Sequence, residues 1–254
     1  QKGTGHAIQQ LIPCLKDFEG DLIVLNGDVP LLRPETIKEL VKKHQSSTAT
    51  ATILSANLSN PKGYGRVFAN SEGLIEEIIE QKDCNNEESK NTLVNAGIYC
   101  FKWLELRKIL PKLDDNNSQK EIYITDTLKH LTPAIHIKVE SQSEILGVND
   151  RVQLSYCEEF IQNNIKEYWM RNGVSFIDPK SCTVSEECKI NVDTIIEPQT
   201  HLRGKCSIGK GCVIGPGSLL TDVIVGSNVR ISYSVLNNCN VQENVEIGPF
   251  ANIR

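Results

Sequence analysis

The sequence predicts an α/β domain, one linking helix and a coil of parallel β-strands, in that order. Three observations carry this prediction. Short apolar runs bounded by Gly, Asn or Pro alternate with helical patterns through the first 150 or so residues. A helical stretch follows, and aliphatic residues then recur at every sixth position towards the end. The expected divisions are 1–152, 153–173 and 174–254.

Within the first division, residues 22–25, 51–54 and 96–101 read as strands. Ala7, Ile8, Leu11, Ile12 and Leu15 fall at helical spacing, as do Ile37, Leu40 and Val41. From Leu154 onward the pairs Tyr156/Phe160 and Ile161/Ile165 lie four apart, and Asn172-Gly173 is a helix stop.

The period then becomes six. Val184, Ile190, Ile196, Leu202, Ile208 and Ile214 form one run, Leu219, Val225 and Ile231 a second, and Val235, Val241, Ile247 and Ile253 a third. Shortened steps separate the runs. Cys188, Thr194, Thr200, Cys206, Cys212 and Ser218, all small, stand four places after an aliphatic. Two inward positions per hexad describe three flat faces with three hexads per turn, so Ile190 stacks beneath Ile208 and Ile196 beneath Ile214. The cysteines in this stretch are packing residues.

Composition narrows the function. The 254 residues carry a net charge of -5, which leaves no broad basic surface for nucleic acid or an anionic membrane. Apolar stretches stay far below the roughly 18 residues needed to cross a bilayer, so a soluble chain is expected. Nine cysteines, without a CxxC pair or a His cluster, indicate neither a disulfide framework nor a zinc site, and a reducing cytoplasm fits best. The chain opens on Gln1 and stops in mid-repeat at Arg254, as expected of part of a longer protein.

The chemistry concentrates where an apolar strand stops on a carboxylate, in "LIVLNGDVPLL" from Leu22 to Leu32. Loops beyond the carboxyl ends of strands are where open α/β sheets bind ligands, so Asp28 is delivered to such an edge. One or two carboxylates together with substrate phosphates suit a hard divalent cation. "KGTGHA" at Lys2 to Ala7 is a glycine turn running into a helix, able to meet a nucleotide with backbone amides. "GYGR" at Gly63 to Arg66, "IIEQKD" at Ile78 to Asp83, "VNAG" at Val94 to Gly97, "IYITD" at Ile122 to Asp126 and "GVNDR" at Gly147 to Arg151 add close-approach glycines and polar groups. Each of these alone is explained equally well by a turn or a cap.

Taken in this order and followed by hexads, the motifs resemble the bacterial bifunctional N-acetylglucosamine-1-phosphate uridylyltransferase / glucosamine-1-phosphate N-acetyltransferase family. "GDVPL", "EQKD" and "GVNDRVQL" are the most discriminating strings. The resemblance implies a Rossmann-like nucleotidyltransferase domain, incomplete at its N-terminus, then a left-handed parallel β-helix that associates as a homotrimer. It implies that Gly3, Thr4, Asn26 and Gly27 line the nucleotide pocket and that Asp28 and Asn149 hold Mg²⁺. Gly65, Glu80 and Asn95 would bind N-acetylglucosamine, with Tyr123 and Thr125 near the sugar phosphate. The implied reaction joins UTP and N-acetylglucosamine 1-phosphate into UDP-N-acetylglucosamine and pyrophosphate. The acetyl-CoA and glucosamine 1-phosphate contacts of the second activity would lie beyond Arg254, and the glycine-rich triphosphate loop before Gln1. The 254 residues by themselves are therefore expected to catalyse neither reaction well. An adenylyl- or guanylyltransferase of the same fold, or a non-catalytic relative serving as a regulatory subunit, is the alternative.

Overall fold

A computed structural model describes residues 2–254. The chain forms two compact units, 1–149 and 150–254.

The first unit is built on a mixed six-stranded sheet. Its strands are β1 (Asp21–Val24), β2 (Ala51–Asn57), β3 (Arg66–Ala69), β4 (Ile75–Ile79), β5 (Leu93–Lys102) and β6 (Ala134–Lys138). β5 is central. One of its edges takes β2 antiparallel, and the other is shared by β1, opposite residues 99–102, and β3, at Val94. Only β2 and β6 run parallel. The three strands expected from sequence are β1, β2 and β5. β3, β4 and β6 are additional, although the run Ile135-His136-Ile137-Lys138-Val139-Glu140 around β6 alternates apolar and polar residues as a half-buried strand does.

β2 is buried at every residue but the last, which explains its continuous apolar run: both faces are covered. On one side α3 (Trp103–Ile109) contributes Trp103, Leu106 and the adjoining Leu110 to a core with Ile53, Tyr99 and Phe101. On the other, α2 (Pro34–Ser46) sends Leu40 against Leu54, Ile98 and Ile145. α1 (Thr4–Gln9) is shorter than the helical spacing up to Leu15 predicts, and turns continue the path beyond it.

Two buried polar groups tie α2 to the sheet and to the loop that leads to Asn149. His44 is fully buried; its Nδ1 shares a 2.8 Å hydrogen bond with Thr52 Oγ1, and its Nε2 lies 3.5 Å from Asp21 Oδ1, ion-pair distance without hydrogen-bond geometry. Glu144 is also buried. It receives the Thr36 hydroxyl and the Arg33 guanidinium, the latter at 3.0 Å, and closes a capping box with Ser141.

The second unit begins with α4 (Arg151–Arg171), capped by the Asp150 carboxylate, which accepts from the Gln153 amide at 2.8 Å. The helix belongs to the solenoid. Ile165 and Trp169 pack on its core, the buried Lys166 ammonium donates to the Pro179 and Cys182 carbonyls, and the Gln162 amide pairs in both directions with the Val184 backbone.

The solenoid itself has three parallel sheets of five, five and four short strands. Ile190 pairs in register with Ile208, and Ile196 with Ile214, as the hexad spacing predicts. The ladder differs at two places. Leu220 and Leu236 are fully buried, whereas Leu219 is only half-buried and Val235 is exposed, so the inward aliphatic moves one residue along in both coils. Pairing confirms it, with Leu202 opposite Leu220 and Leu220 opposite Leu236. In each case the neighbouring Leu also satisfies an aliphatic pattern, and only the turn decides which of the two faces inward. The residue two places before the aliphatic stays inward throughout, as Ser218, Val223, Val229 and Ser234.

The small inward residues also hydrogen-bond. Thr194 Oγ1 donates to the Gly209 carbonyl at 2.9 Å, Cys206 Sγ to Leu220 at 3.5 Å and Cys212 Sγ to Gly226 at 3.1 Å. A hydroxyl or thiol at this position fits the narrow corner and satisfies a carbonyl of the next coil, which an alanine could not do.

Both buried groups of the first unit make its stability acid-sensitive. Burial lowers the His44 pKa below the ordinary 6.5, the Asp21 charge opposing this and Lys102 adding to it. Burial of Glu144 alone would raise its pKa, but hydrogen bonds from Thr36, Arg33 and Ser141 together lower it below 4.5. In both cases the unfolded chain takes up the proton first as pH falls. Unfolding free energy measured by urea titration should therefore be level near neutrality, decline below about pH 6.5 as the unfolded His44 protonates, and decline again below about pH 4.3 through Glu144. A His44→Gln variant should show a shallower first decline, the remainder coming from His136, whose pKa burial also lowers, and should keep the second.

Candidate active site

β1 ends at Val24, and the next four residues carry Asn26, Gly27 and Asp28 past the sheet edge, all exposed. The chain stops on a carboxylate here because the strand has left the core. Asn26 lies over β5 where that strand bulges: Ile53 pairs with Tyr99 but Ser55 with Asn95, leaving residues 96–98 looped out of register. Gly97 makes the bulge possible. Its φ is +72°, a backbone conformation L side chains rarely adopt, and a Cβ there would also push the exposed Asn26 carboxamide aside.

Asp28 and Asn149, far apart in sequence, are brought together by one backbone bond. The Val148 amide donates to the Asp28 carbonyl at 2.8 Å. A Cβ added to Gly147 would lie 3.9 Å from both Asp28 Oδ2 and Asn149 Nδ2, so the two side chains face one small volume. Asn149 is not the N-cap of α4, a place Asp150 takes, and its carboxamide carries an oxygen able to ligate a cation. One exposed carboxylate and one amide form a sparse, hard donor set. Among the described residues no group of three or more His, Cys, Asp or Glu gathers round a metal position. Such a pair fits a hard divalent cation that takes most of its oxygens from phosphate and water.

The remaining motifs meet in a second cluster. The Thr125 hydroxyl donates to Glu80 Oε1 at 2.9 Å, and a Cβ on Gly65 would lie 3.2 Å from Glu80 Oε2. The Asn95 amide donates to the Gly65 carbonyl at 2.9 Å, while its buried side chain donates to the Tyr99 hydroxyl at 2.8 Å. Gly65, Glu80, Asn95 and Thr125 are thus neighbours. Burial pushes the Glu80 carboxyl above its ordinary range; the Thr125 bond opposes this, and Asp126 and Asp83 add to it. Glu80, Tyr123 and Thr125 line an open cleft of about 510 Å³ whose walls also carry Glu77, Asp83 and Asp126. The Tyr123 hydroxyl accepts from Gln119 at 2.7 Å.

Gly3 and Thr4 pack against the segment 121–124, which leads into Thr125. The Gly5 amide donates to Ile122 O at 2.8 Å and the Ile124 amide to Thr4 Oγ1 at 3.1 Å. A Cβ on Gly3, whose φ is +104°, would come 2.6 Å from the Ile122 carbonyl.

Two contributors escaped the sequence reading. Tyr64 donates its hydroxyl to the Ile145 carbonyl at 3.0 Å, and Glu144 anchors the same loop. A capping box was readable in Ser141 to Glu144, but nothing local shows that Arg33 and Thr36 complete it.

The Nucleotidyl transferase family matches residues 1–170, and the bacterial transferase hexapeptide family (six repeats) matches residues 187–222. The chain is 56% identical, over its whole length, to the bifunctional protein GlmU of Prochlorococcus marinus (strain MIT 9211), covering 56% of that protein. The figures are 52% and 56% for bifunctional protein GlmU of Synechococcus sp. (strain CC9605), and 50% and 56% for that of Rippkaea orientalis (strain PCC 8801 / RF-1). The chain therefore spans a little over half the length of these relatives.

Gly97→Ala should lower the unfolding free energy by about 1–3 kcal/mol, the range for a non-glycine residue held in a sparsely populated backbone region. Chemical denaturation of the two proteins checks it.

Proposed function

The chain belongs to the nucleotidyl transferase family, and from that premise we propose that it transfers UMP from UTP to N-acetylglucosamine 1-phosphate, yielding UDP-N-acetylglucosamine and pyrophosphate. The parent protein would also acetylate glucosamine 1-phosphate from acetyl-CoA. The observation that supports the reading best is the convergence of Asp28 and Asn149 on Gly147.

In this reading a sugar-phosphate oxygen attacks the α-phosphorus of UTP in line with the departing pyrophosphate. No covalent nucleophile is needed, because such transfers depend on alignment and charge neutralisation. Asp28 and Asn149 hold Mg²⁺, which supplies positive charge to the phosphate oxygens. Gly3, Thr4, Asn26 and Gly27 bind the uridine end, where glycines let the base approach the backbone. Gly65, Glu80 and Asn95 bind the amino sugar, and Tyr123 and Thr125 orient it. Glu80, with its pKa raised, suits the hydroxyls of an uncharged sugar, and its hydrogen bond from Thr125 fixes which oxygen faces the cleft.

The finer assignments rest on the same footing. Mg²⁺ is proposed from the hard oxygen donors. A homotrimer is proposed from the hexapeptide solenoid, and a cytoplasmic location from the nine cysteines, all free among the described residues. No helix among the described residues is long and apolar enough to cross a membrane.

The test is pyrophosphate release by the full-length protein carrying this chain, supplied in turn with UTP, ATP and GTP. UTP should be strongly preferred, and Asp28→Ala should lower kcat/KM for uridylyl transfer by about 100-fold or more, the scale of losing one stabiliser of transition-state charge. Acetyl transfer should stay within twofold of wild type. Preference for another nucleotide would overturn the substrate, and an active Asp28→Ala protein would overturn the mechanism.

A further inference from the structure

We propose that Tyr64 is a positioning residue for the metal-holding pair, a role that rests on the reading of Asp28 and Asn149 given above. Tyr64 stands between the two clusters of the site. Its hydroxyl donates to the Ile145 carbonyl at 3.0 Å, two residues before Gly147. Its ring packs on the core that contains Leu40, Ile98 and Ile145. Through these contacts it holds the segment in which Val148 binds the Asp28 carbonyl at 2.8 Å.

The backbone of Tyr64 is held from the opposite direction. The buried Arg66 guanidinium donates to the Tyr64 carbonyl and, at 3.0 Å, to Gln81 Oε1. Gly65 follows directly in the chain and lies against Glu80. One residue thus has its main chain locked to the Gly65–Glu80 side and its phenol locked to the Gly147–Asn149 side. The phenol sets how far the Asn149 loop stands from Asp28, and loss of the oxygen frees the Ile145 carbonyl without emptying the ring's place. Groups that hold metal ligands in position are worth tenfold or more in metal affinity.

Tyr64→Phe removes only the oxygen and is close to isosteric, so the variant keeps the core contacts of the ring. The experiment measures Mn²⁺ binding to the full-length protein by water-proton relaxation enhancement, with UDP-N-acetylglucosamine present, for wild type, Tyr64→Phe and Asp28→Ala. KM for N-acetylglucosamine 1-phosphate and the Tm are measured alongside. Tyr64→Phe should weaken Mn²⁺ binding about tenfold, with the sugar-phosphate KM within twofold and the Tm within a few degrees of wild type. Wild-type Mn²⁺ affinity in Tyr64→Phe, with binding lost in Asp28→Ala, would overturn the role of Tyr64 alone. Wild-type affinity in both variants would overturn the metal assignment itself. Parallel losses of metal affinity, sugar affinity and Tm in Tyr64→Phe would reduce the residue to a general structural one and also overturn the proposal.

Discussion

A single hydrogen bond between two loops, from the Val148 amide to the Asp28 carbonyl, organises the first unit's candidate site. It joins the segment that follows β1 to the segment that precedes Asp150. Without it, a carboxylate and an amide on separate exposed loops would have no reason to face one volume. The later of the two segments is fastened elsewhere as well. Glu144 ties the later segment to Arg33 and Thr36, and Tyr64 ties it to the strand that begins at Arg66. Buried hydrogen-bonded charge is costly to disturb, which makes it a good fastener for a loop.

The site has two different halves. The cleft beside Glu80 carries several carboxylates, Glu77, Asp83 and Asp126 among them, together with Lys129 and His130, a polar lining suited to hydroxyls. A triphosphate brought into a chain of net charge -5 needs compensating cations, and the Asp28–Asn149 volume is where the donor set suits one. In the proposed reaction the uncharged sugar ring and the phosphates would be divided between the halves. Hydrogen bonds would then set orientation.

The solenoid obeys a different economy. Each strand has only two or three residues, and no coil could bury its aliphatic alone. Stacking makes the ladder continuous, while the Thr, Ser and Cys corners satisfy carbonyls that a purely apolar core would strand. Asp and Asn residues at several turns, among them Asp193, Asp222, Asn228 and Asn244, adopt positive φ, a conformation these side chains tolerate better than most. α4 closes the first coil with the same logic: Lys166 spends its ammonium on two carbonyls that have no coil beneath them.

Periodicity alone determined the order of the parts, the three-sided coil and the in-register stacking of Ile190 on Ile208, because a spacing of six leaves one face for the aliphatic. It also marked Asp28, since an apolar strand that ends on Asn-Gly-Asp has to leave the core there. Tertiary structure decided which of two adjacent aliphatics points inward, Leu220 over Leu219 and Leu236 over Val235, because a shortened turn shifts the face by one residue without changing the pattern. It alone decided that Asp28 meets Asn149, that Gly97 makes room for Asn26, and that Tyr64 and Glu144 hold the loop between them. Those contacts join residues dozens to more than a hundred positions apart, and no local spacing encodes a distance that only the folded sheet brings to zero.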